Sequence, residues 1–256
     1  MNPDLLRFFI VCPAVFVAGY IDAIAGGGGL ITIPAYILSG LPVNIASGTN
    51  KFGVFFGTGM AACRYGKYGY IRPRAVLVGV PCAVLGSMLG ARLQLAVPEG
   101  ILKAMLLVVL PVVAFYAFKS KKLEGGRLYD ELPQPRTNRL LAAISFGIGI
   151  YDGFYGPGTG TFLLLLLTGV AHMDLNESNG TAKAINLATN LGSLIVFISS
   201  GKVIYPLGCA AAVCSIAGNY LGAASFKKKG AALVRPVILI VLALFFIKVI
   251  QELLFK

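Results

Sequence analysis

Charged residues are scarce in this chain. They make up 12% of its 256 residues, against 57% hydrophobic residues, and the mean hydropathy is +0.82. No long polar segment separates the apolar runs, which excludes a soluble globular domain and indicates a polytopic protein of the lipid bilayer. The runs are continuous and do not alternate with period two, so the sequence predicts an all-α membrane protein and disfavours a β-barrel.

Motifs of catalysis and metal binding are also missing. Histidine occurs once, as His172 in a short loop, and the chain contains no GxSxG, HExxH or Walker A motif. Serine hydrolysis, metal hydrolysis and nucleotide-driven pumping are therefore not expected, and the sequence predicts neither an enzyme nor a cofactor. The five cysteines form no CxxC pair, so we interpret them as packing residues within the apolar runs.

The apolar runs divide into long and short segments. Most approach the roughly 20 residues that a helix needs to cross the hydrocarbon layer, whereas two fall well short of that length. We interpret the short ones, 30–39 and 160–171, as half-helices or re-entrant segments, and whether they cross is left open. In chain order the runs are approximately 5–24, 30–39, 46–62, 74–93, 99–118, 139–155, 160–171, 182–199, 205–224 and 234–254.

Positive charge is concentrated in three connectors. The net charge is +12, and most of the 22 Lys and Arg residues lie in 64–74, 119–139 and 227–235. Short basic connectors between apolar helices are typical of cytoplasmic loops. We therefore predict that all three connectors face the cytoplasm of a multi-pass protein of the cell (plasma) membrane, and we expect no nucleic-acid partner.

A motif near the N-terminus occurs a second time. GYIDAIAGGGG at 19–29 matches GIYDGFYGPGT at 149–159, and this alignment pairs Asp22 with Asp152 and Gly28 with Gly158. SGTNK and GSMLGA follow the first copy in the same order in which NGTAK and GNYLGA follow the second. An internal copy also argues against a cleaved signal peptide at Ala23–Ala25, although Arg7 precedes an apolar run there.

The duplication predicts the organisation of the chain. We expect two repeats of about 130 residues each. They comprise a first transmembrane repeat at 1–118, a basic cytoplasmic connector at 119–138 and a second transmembrane repeat at 139–256. If all three connectors are cytoplasmic, the repeats are inverted in the membrane, as in many secondary transporters. The alternative is a parallel duplication that leaves Lys227–Lys229 outside.

The repeated motifs resemble the paired signatures of the TauE/SafE family of sulfite exporter-like and sulfonate permease-like membrane proteins. They are GYIDAIAGGGGLITIPAYILSGLPVNIASGTNKFG in the first half, and YDGFYGPGTGTF with NGTAKAINLATNLGSL in the second. The resemblance implies a transporter of small anions, of the sulfite, sulfonate or sulfoacetate type, driven by a proton or sodium gradient. It implies neither the exact substrate, the direction of transport nor the oligomeric state. A passive anion channel is the alternative, and an intramembrane enzyme is a more distant one.

The two halves differ within this resemblance. Where the second half has Asn186 and Asn190, the first has Val54 and Thr58. The two half-sites therefore cannot be chemically equivalent.

Glycines precede both short segments. Helix N-termini present unpaired N–H groups and a partial positive charge, and glycine lets a bound anion approach them closely. Two such ends facing each other would bind an anion, whereas close helix packing is the structural alternative. The substrate-binding candidates from these clusters are Gly26, Gly27, Gly28, Gly29, Gly156, Gly158 and Thr159. We interpret the GxxxG pairs Gly86/Gly90 and Gly218/Gly222 as packing residues.

Polar residues of the two other shared motifs complete the candidate site. Lys183, Asn186 and Asn190 are spaced for one face of a helix, where a cation and two amides can hold an oxyanion. The further candidates are Thr49, Asn50, Lys51 and Thr181, and the alternatives are helix capping for the threonines and snorkelling for the lysines.

Two carboxylates lie within the apolar signature regions, Asp22 and Asp152. An intramembrane carboxylate is expected to be functional, as a coupling site for a proton or cation. A purely structural ion pair with Lys51 or Lys183 is the alternative.

Overall fold

The computed structural model describes residues 3–98 and 134–230, together with residues 101, 232, 233 and 236. The predicted segments 99–118 and 234–254 and most of the basic connector 119–138 lie outside these residues. Within them the chain is entirely helical, which confirms the predicted all-α class. The helices are α1 (Pro3–Ala25), α2 (Gly29–Leu38), α3 (Val43–Lys67), α4 (Pro73–Ala96), α5 (Gln134–Phe154), α6 (Thr159–Gly169), α7 (Leu175–Ser199) and α8 (Tyr205–Lys229).

The helices are long or short as the sequence predicts. In the described part of the chain, α1, α4, α7 and α8 are long and apolar enough to cross a membrane. α3 and α5 are of similar length, with 25 and 21 residues, but contain more polar side chains. α2 and α6 have only 10 and 11 residues, which confirms the two short helices.

α3 and α7 begin earlier than the apolar pattern predicts. α7 begins at Leu175 because Asp174 caps it, its Oδ1 accepting a hydrogen bond from the backbone N–H of Asn176 at 2.9 Å. The first turns of α7 are polar, so a search for apolar runs detects that helix only several residues later, whereas α3 begins just before its predicted start. Lys51 and Lys183 consequently lie about two turns inside their helices, away from the ends.

Glycines bring pairs of helices into backbone contact. A Cβ atom on Gly86 or Gly90 of α4 would overlap the carbonyl oxygen of Phe146 or Ile150 in α5. α8 approaches α1 in the same way, through Gly218 and Gly222 against Phe16 and Tyr20. The prediction that these GxxxG pairs are packing residues is therefore confirmed. In each contact residue numbers rise together, so α4 runs parallel to α5 and α8 parallel to α1.

α3 and α7 form the centre of the bundle. Gly53 of α3 faces Ala211 of α8, and Gly57 faces Ser215, so α3 runs parallel to α8. α7 runs the opposite way to α3, because Gly180, near the beginning of α7, lies against the loop that follows α3.

Basic residues of different segments meet at one end of the bundle. The guanidinium of Arg64 lies 3.9 Å from the ring centroid of Tyr220, and the ammonium of Lys227 lies 4.4 Å from that of Tyr68. At the same end, Arg72 at the start of α4 pairs with Glu177 at the start of α7. We refer to this end, where α3 and α8 end and α4 and α7 begin, as the basic face.

Large apolar side chains cover the outside of the bundle. Leu77, Phe9 and Val213 are 76%, 65% and 68% exposed. In water such exposure would be costly, whereas side chains of this kind are well solvated by lipid tails. The interior, in contrast, holds polar and charged side chains around a cavity.

Candidate functional site

A central cavity lies where the short helices α2 and α6 begin. Its empty volume, including the space that is open to solvent, is about 610 Å³. It brings together most of the predicted site residues from both halves: Asp22, Gly27, Gly28, Gly29, Asn50, Lys51, Asp152, Gly156, Gly158, Thr159, Asn186 and Asn190. Gly26, Thr49, Thr181 and Lys183 do not line it.

A buried ion pair lies in the cavity wall. Lys51 Nζ is 2.6 Å from Asp152 Oδ2 and donates a second hydrogen bond to Asn190 Oδ1 at 3.0 Å. The Lys51 and Asp152 side chains are 7% and 3% exposed. Thr159, the first residue of α6, donates from its hydroxyl to Asp152 Oδ1 at 2.7 Å. Asp152 therefore links α6 to the lysine of the opposite half.

A second ion pair connects the halves in the other direction. Lys183 Nζ lies 2.8 Å from Asp22 Oδ2, and the backbone N–H of Gly28 donates to Asp22 Oδ1 at 3.3 Å. The side chain of Lys183 is only 1% exposed, whereas that of Asp22 is 15% exposed and faces the cavity. The charges of each pair offset the large cost of removing the partner from water. Both lysines are buried and paired, so the snorkelling alternative is wrong.

The glycine clusters are required by backbone conformation. Gly26 and Gly27 have φ of +76° and +86°, and Gly156 and Gly158 have φ of +89° and +87°. Side chains strongly disfavour this left-handed region. Pro157 stands where the first motif has Gly27, and because proline fixes φ near −65°, the second left-handed residue falls one position later.

Close packing is a further requirement at the same turns. A Cβ on Gly26 would overlap the backbone of Gly160 and Thr161, so the two glycine-rich turns touch each other. A Cβ on Gly28 would come within 2.8 Å of the carbonyl oxygen of Ala18 in α1. Packing and conformation therefore explain these glycines even without a ligand. The turns nevertheless bring the first residues of both short helices to one cavity.

Thr49 and Thr181 stabilise the beginnings of neighbouring helices. The hydroxyl oxygen of Thr49 accepts a hydrogen bond from the N–H of Ile204, the residue before α8, at 3.0 Å. That of Thr181 accepts from the N–H of Arg72, the residue before α4, at 3.1 Å. Each threonine thus serves as a cap, one of the two roles that the sequence left open. Thr159 does not cap α6, because the helix begins with it and Gly158 is the N-cap.

Several residues of the cavity wall were missed by sequence reasoning. They are scattered polar side chains inside otherwise apolar helices: Thr32, Ser47, Gln94, Ser215 and Asn219. A polar residue facing the inside of a membrane helix is a signal of function. Ser215 and Asn219 are four residues apart on one face of α8 and could have been found in this way.

These features define a class of protein. It is an all-helical membrane protein whose two short helices begin at a buried polar cavity containing ion pairs, the arrangement found in membrane transporters. The chain belongs to the sulfite exporter TauE/SafE family, since the family model matches residues 11–249. It is a multi-pass membrane transporter of that family.

Curated relatives agree with this assignment. The chain is 35% identical to a "Probable membrane transporter protein" of Sinorhizobium sp. over 93% of its length and 89% of the relative's. A protein of the same description from Haemophilus influenzae is 35% identical, covering 88% of this chain and 87% of the relative. The protein YfcA of Escherichia coli K12, also so described, is 32% identical over 98% and 92%. No solved structure matches the chain.

Proposed function

We propose that the chain is a secondary transporter of small sulfur-containing anions, of the sulfite, sulfonate or sulfoacetate type, coupled to a proton gradient. The observation that carries the proposal is the position of Lys51. Its ammonium group lies in the wall of a cavity that is also lined by the first residues of α2 and α6. The sulfur-containing class rests on membership of the family, and no catalytic step is involved.

The cavity offers an anion three kinds of interaction. The N-terminal ends of α2 and α6 supply N–H groups and partial positive charge. Lys51 has three N–H donors, of which Asp152 and Asn190 accept two, so one remains for a ligand. The side chain of Asn186 contributes a further polar group to the wall. In a medium of low dielectric constant these interactions are much stronger than in water.

Coupling to protons follows from competition for Lys51. An arriving anion that binds this ammonium group weakens its contact with Asp152, leaving a buried carboxylate without its cation. An uncompensated buried carboxylate takes up a proton, because the neutral form costs far less to bury. Anion and proton would thus bind together and leave together. Asp22 has the structural role in this scheme, because it holds the beginning of α2 and the more deeply buried Lys183.

The transport cycle requires that the cavity open alternately to the two sides. On the side of the basic face, the hydroxyl of Tyr65 donates to the carbonyl of Ala23 at 2.6 Å, and Asn179 donates to that of Ile24 at 3.0 Å. The cavity extends the other way, to Ser47 and Gln94 at the opposite ends of α3 and α4. We infer that this conformation is closed toward the basic face.

We infer further that the two halves are inverted repeats. Helices of corresponding length follow one another in the same order, from α1 to α4 and from α5 to α8. α1 and α3 run one way with α8, whereas α4, α5 and α7 run the other way. Each long helix of the first half is therefore antiparallel to its counterpart in the second. With the basic face in the cytoplasm, the cavity opens outward.

Labelling of single cysteines tests this orientation. The five native cysteines are first replaced, and one cysteine is introduced at Lys228 on the basic face or at Gly201 in the opposite loop. In intact cells a membrane-impermeant maleimide should label the Gly201 variant and leave the Lys228 variant unlabelled. Labelling of Lys228→Cys from outside would refute the cytoplasmic position of the basic face.

Binding and flux measurements test the function itself. Calorimetry on the purified protein with sulfite, thiosulfate, ethanesulfonate, sulfoacetate and matched carboxylates should show binding of the sulfur-containing anions. In proteoliposomes, flux of the bound anion should be accelerated by an inward proton gradient and should itself move protons. Flux that follows only the anion's own electrochemical gradient would identify a passive channel, and binding of carboxylates alone would refute the sulfur-containing class.

A further inference from the structure

One part of the cavity wall has no role in the proposed anion site. It is formed by uncharged polar side chains of α2, α3, α4 and α8, all facing the same cavity as Lys51. We refer to it as the polar annex, and its residues are Thr32, Ser47, Asn50, Gln94, Ser215 and Asn219.

The polar annex contains buried oxygen atoms that have no hydrogen-bond partner among the described residues. Asn219 Nδ2 donates to the backbone carbonyl of Ser215 at 3.0 Å. A carbonyl oxygen can only accept, so this contact fixes the orientation of the amide and leaves Oδ1 as its unbonded acceptor. Asn219 Oδ1 has no hydrogen-bond partner among the described residues, although the residue is only 2% exposed. Asn50 Oδ1 and Thr32 Oγ1 are also unpartnered, in residues 5% and 1% exposed.

The other half of the molecule lacks these acceptors. In the alignment of the repeats, Ala182 stands in the place of Asn50 and is part of a hydrophobic cluster. Ser87 stands in the place of Asn219, and its hydroxyl bonds to the carbonyl of Val84 in its own helix. The fold therefore does not require an amide side chain at these positions. Leaving buried acceptors unpaired destabilises the protein, so their presence in one half points to a ligand.

We propose that the transported anion carries a hydrogen-bond donor, a hydroxyl or amino group, which the polar annex accepts. This inference rests on the proposed anion site, because it orients the ligand by its charged end. The anionic group lies at Lys51 and the helix N-termini, and the uncharged end reaches Asn50 and Asn219. The fixed Oδ1 of Asn219 repels an anionic group, and the annex contains no cation to attract one, so this orientation of the ligand is favoured. Simple sulfite or thiosulfate would leave the acceptors unpaired and bind more weakly.

Matched pairs of ligands isolate the donor group. Ethanesulfonate and 2-hydroxyethanesulfonate differ by one hydroxyl, as do propanoate and 3-hydroxypropanoate. Calorimetry on the purified full chain should show the hydroxylated member of a pair binding about tenfold more tightly, the value of one good hydrogen bond to an otherwise unpaired buried group. The carboxylate pair makes the donor test independent of whether the anionic group contains sulfur.

Variants show whether the annex causes the preference. Asn219→Ala and Asn50→Ala should each reduce the hydroxyl preference severalfold, while the affinity for ethanesulfonate changes little. Ser87→Ala is the matched control, because it truncates the corresponding position of the other half and should leave the preference intact. If Asn219→Ala fails to fold, Asn50→Ala alone tests the role of the annex. The Asn50 side chain forms no hydrogen bond with a described residue, so its removal should not disturb folding.

The possible outcomes separate this inference from the proposed function. Equal affinity for both members of each pair overturns the inference and leaves the anion transporter standing. A hydroxyl preference confined to the carboxylates supports the inference and refutes the sulfur-containing class. Binding of none of the four ligands overturns the inference, and the titrations with sulfite, thiosulfate and sulfoacetate then decide the proposed function. Equal affinities that rise with sodium concentration would show that the annex oxygens bind a cation, which also overturns the inference.

Discussion

The two buried ion pairs are built from the same residue types but lie in different surroundings. Lys51–Asp152 forms part of the cavity wall and shares its lysine with Asn190. Lys183 does not line the cavity, and its ammonium group donates to Asp22 without contacting an amide oxygen of any described residue. The aligned position of Asn190 in the first half is Thr58, whose side chain is shorter. The two halves thus contain corresponding ion pairs, and the residues beside each pair decide which one can meet a ligand.

Removal of each lysine should separate binding from stability. We expect Lys51→Met to weaken anion binding by about 100-fold, because a desolvated cation at a ligand contributes several kcal/mol. Lys183→Met should instead leave anion affinity nearly unchanged. Both variants should lower the free energy of unfolding by about 3 kcal/mol, because each leaves a carboxylate without its partner. Calorimetry with ethanesulfonate and thermal unfolding of the same preparations measure the two effects. Loss of binding only in Lys183→Met would reverse the assignment of the pairs.

Neutral replacement of each carboxylate should sharpen the comparison further. In the wild-type protein we expect about one proton to be taken up with each anion, so that affinity falls about tenfold for each unit by which the pH rises. Asp152→Asn should abolish this dependence, because an amide cannot take up the proton.

Asp22→Asn is the matched variant for that measurement. It should keep the proton uptake and lower thermal stability, because the contact of Lys183 at the start of α2 is weakened. Proton uptake is measured with a pH-indicator dye in weakly buffered solution. Unchanged uptake in both variants would remove proton coupling from the mechanism.

Exchange of the aligned residues should reduce the difference between the two sites. Asn190→Thr gives the second half the side chain of the first and removes the acceptor of one Lys51 hydrogen bond. We expect anion affinity to fall about fivefold, the value of one hydrogen bond to a charged group partly replaced by water. Thr58→Asn is the control, and a similar fall in that variant would show that general disturbance of the cavity is responsible. Affinity is again measured by calorimetry.

The capping threonines should behave alike in both halves. Thr49→Val and Thr181→Val each remove one hydrogen bond to the residue that precedes α8 or α4. Each should lower the free energy of unfolding by about 1 kcal/mol and leave anion affinity unchanged. Thermal unfolding with and without ethanesulfonate measures both quantities. A loss of affinity in either variant would show that the threonine also contacts the ligand.

Local composition was sufficient to predict much of the fold. Continuous apolar runs predicted helices, and the two runs too short to cross a bilayer became α2 and α6. Helix ends were predicted less well, because caps such as Asp174 stabilise polar first turns that an apolar pattern does not reveal. The GxxxG pairs were predicted because close backbone approach requires a missing side chain at a fixed helical spacing.

The candidate site was predicted only in part. Motif repetition identified the lysines and carboxylates, and polar groups are costly enough in an apolar medium that their presence signals a site. Ser47, Gln94, Ser215 and Asn219 were missed because they are isolated along the chain and come together only where α3, α4 and α8 meet. Thr49 and Thr181 were named as binding candidates, but their hydroxyls cap helices that are distant in sequence.

By itself, the sequence determined that this protein is helical, lies in a membrane and carries one polar motif twice, because these properties follow from residue types and their spacing along the chain. Only the tertiary structure decided how the charges pair. Asp22 contacts Lys183 and Asp152 contacts Lys51, each across the boundary between the halves. Partners more than 100 residues apart meet because the parallel contacts of α1 with α8 and of α4 with α5 bring the two glycine-rich turns together.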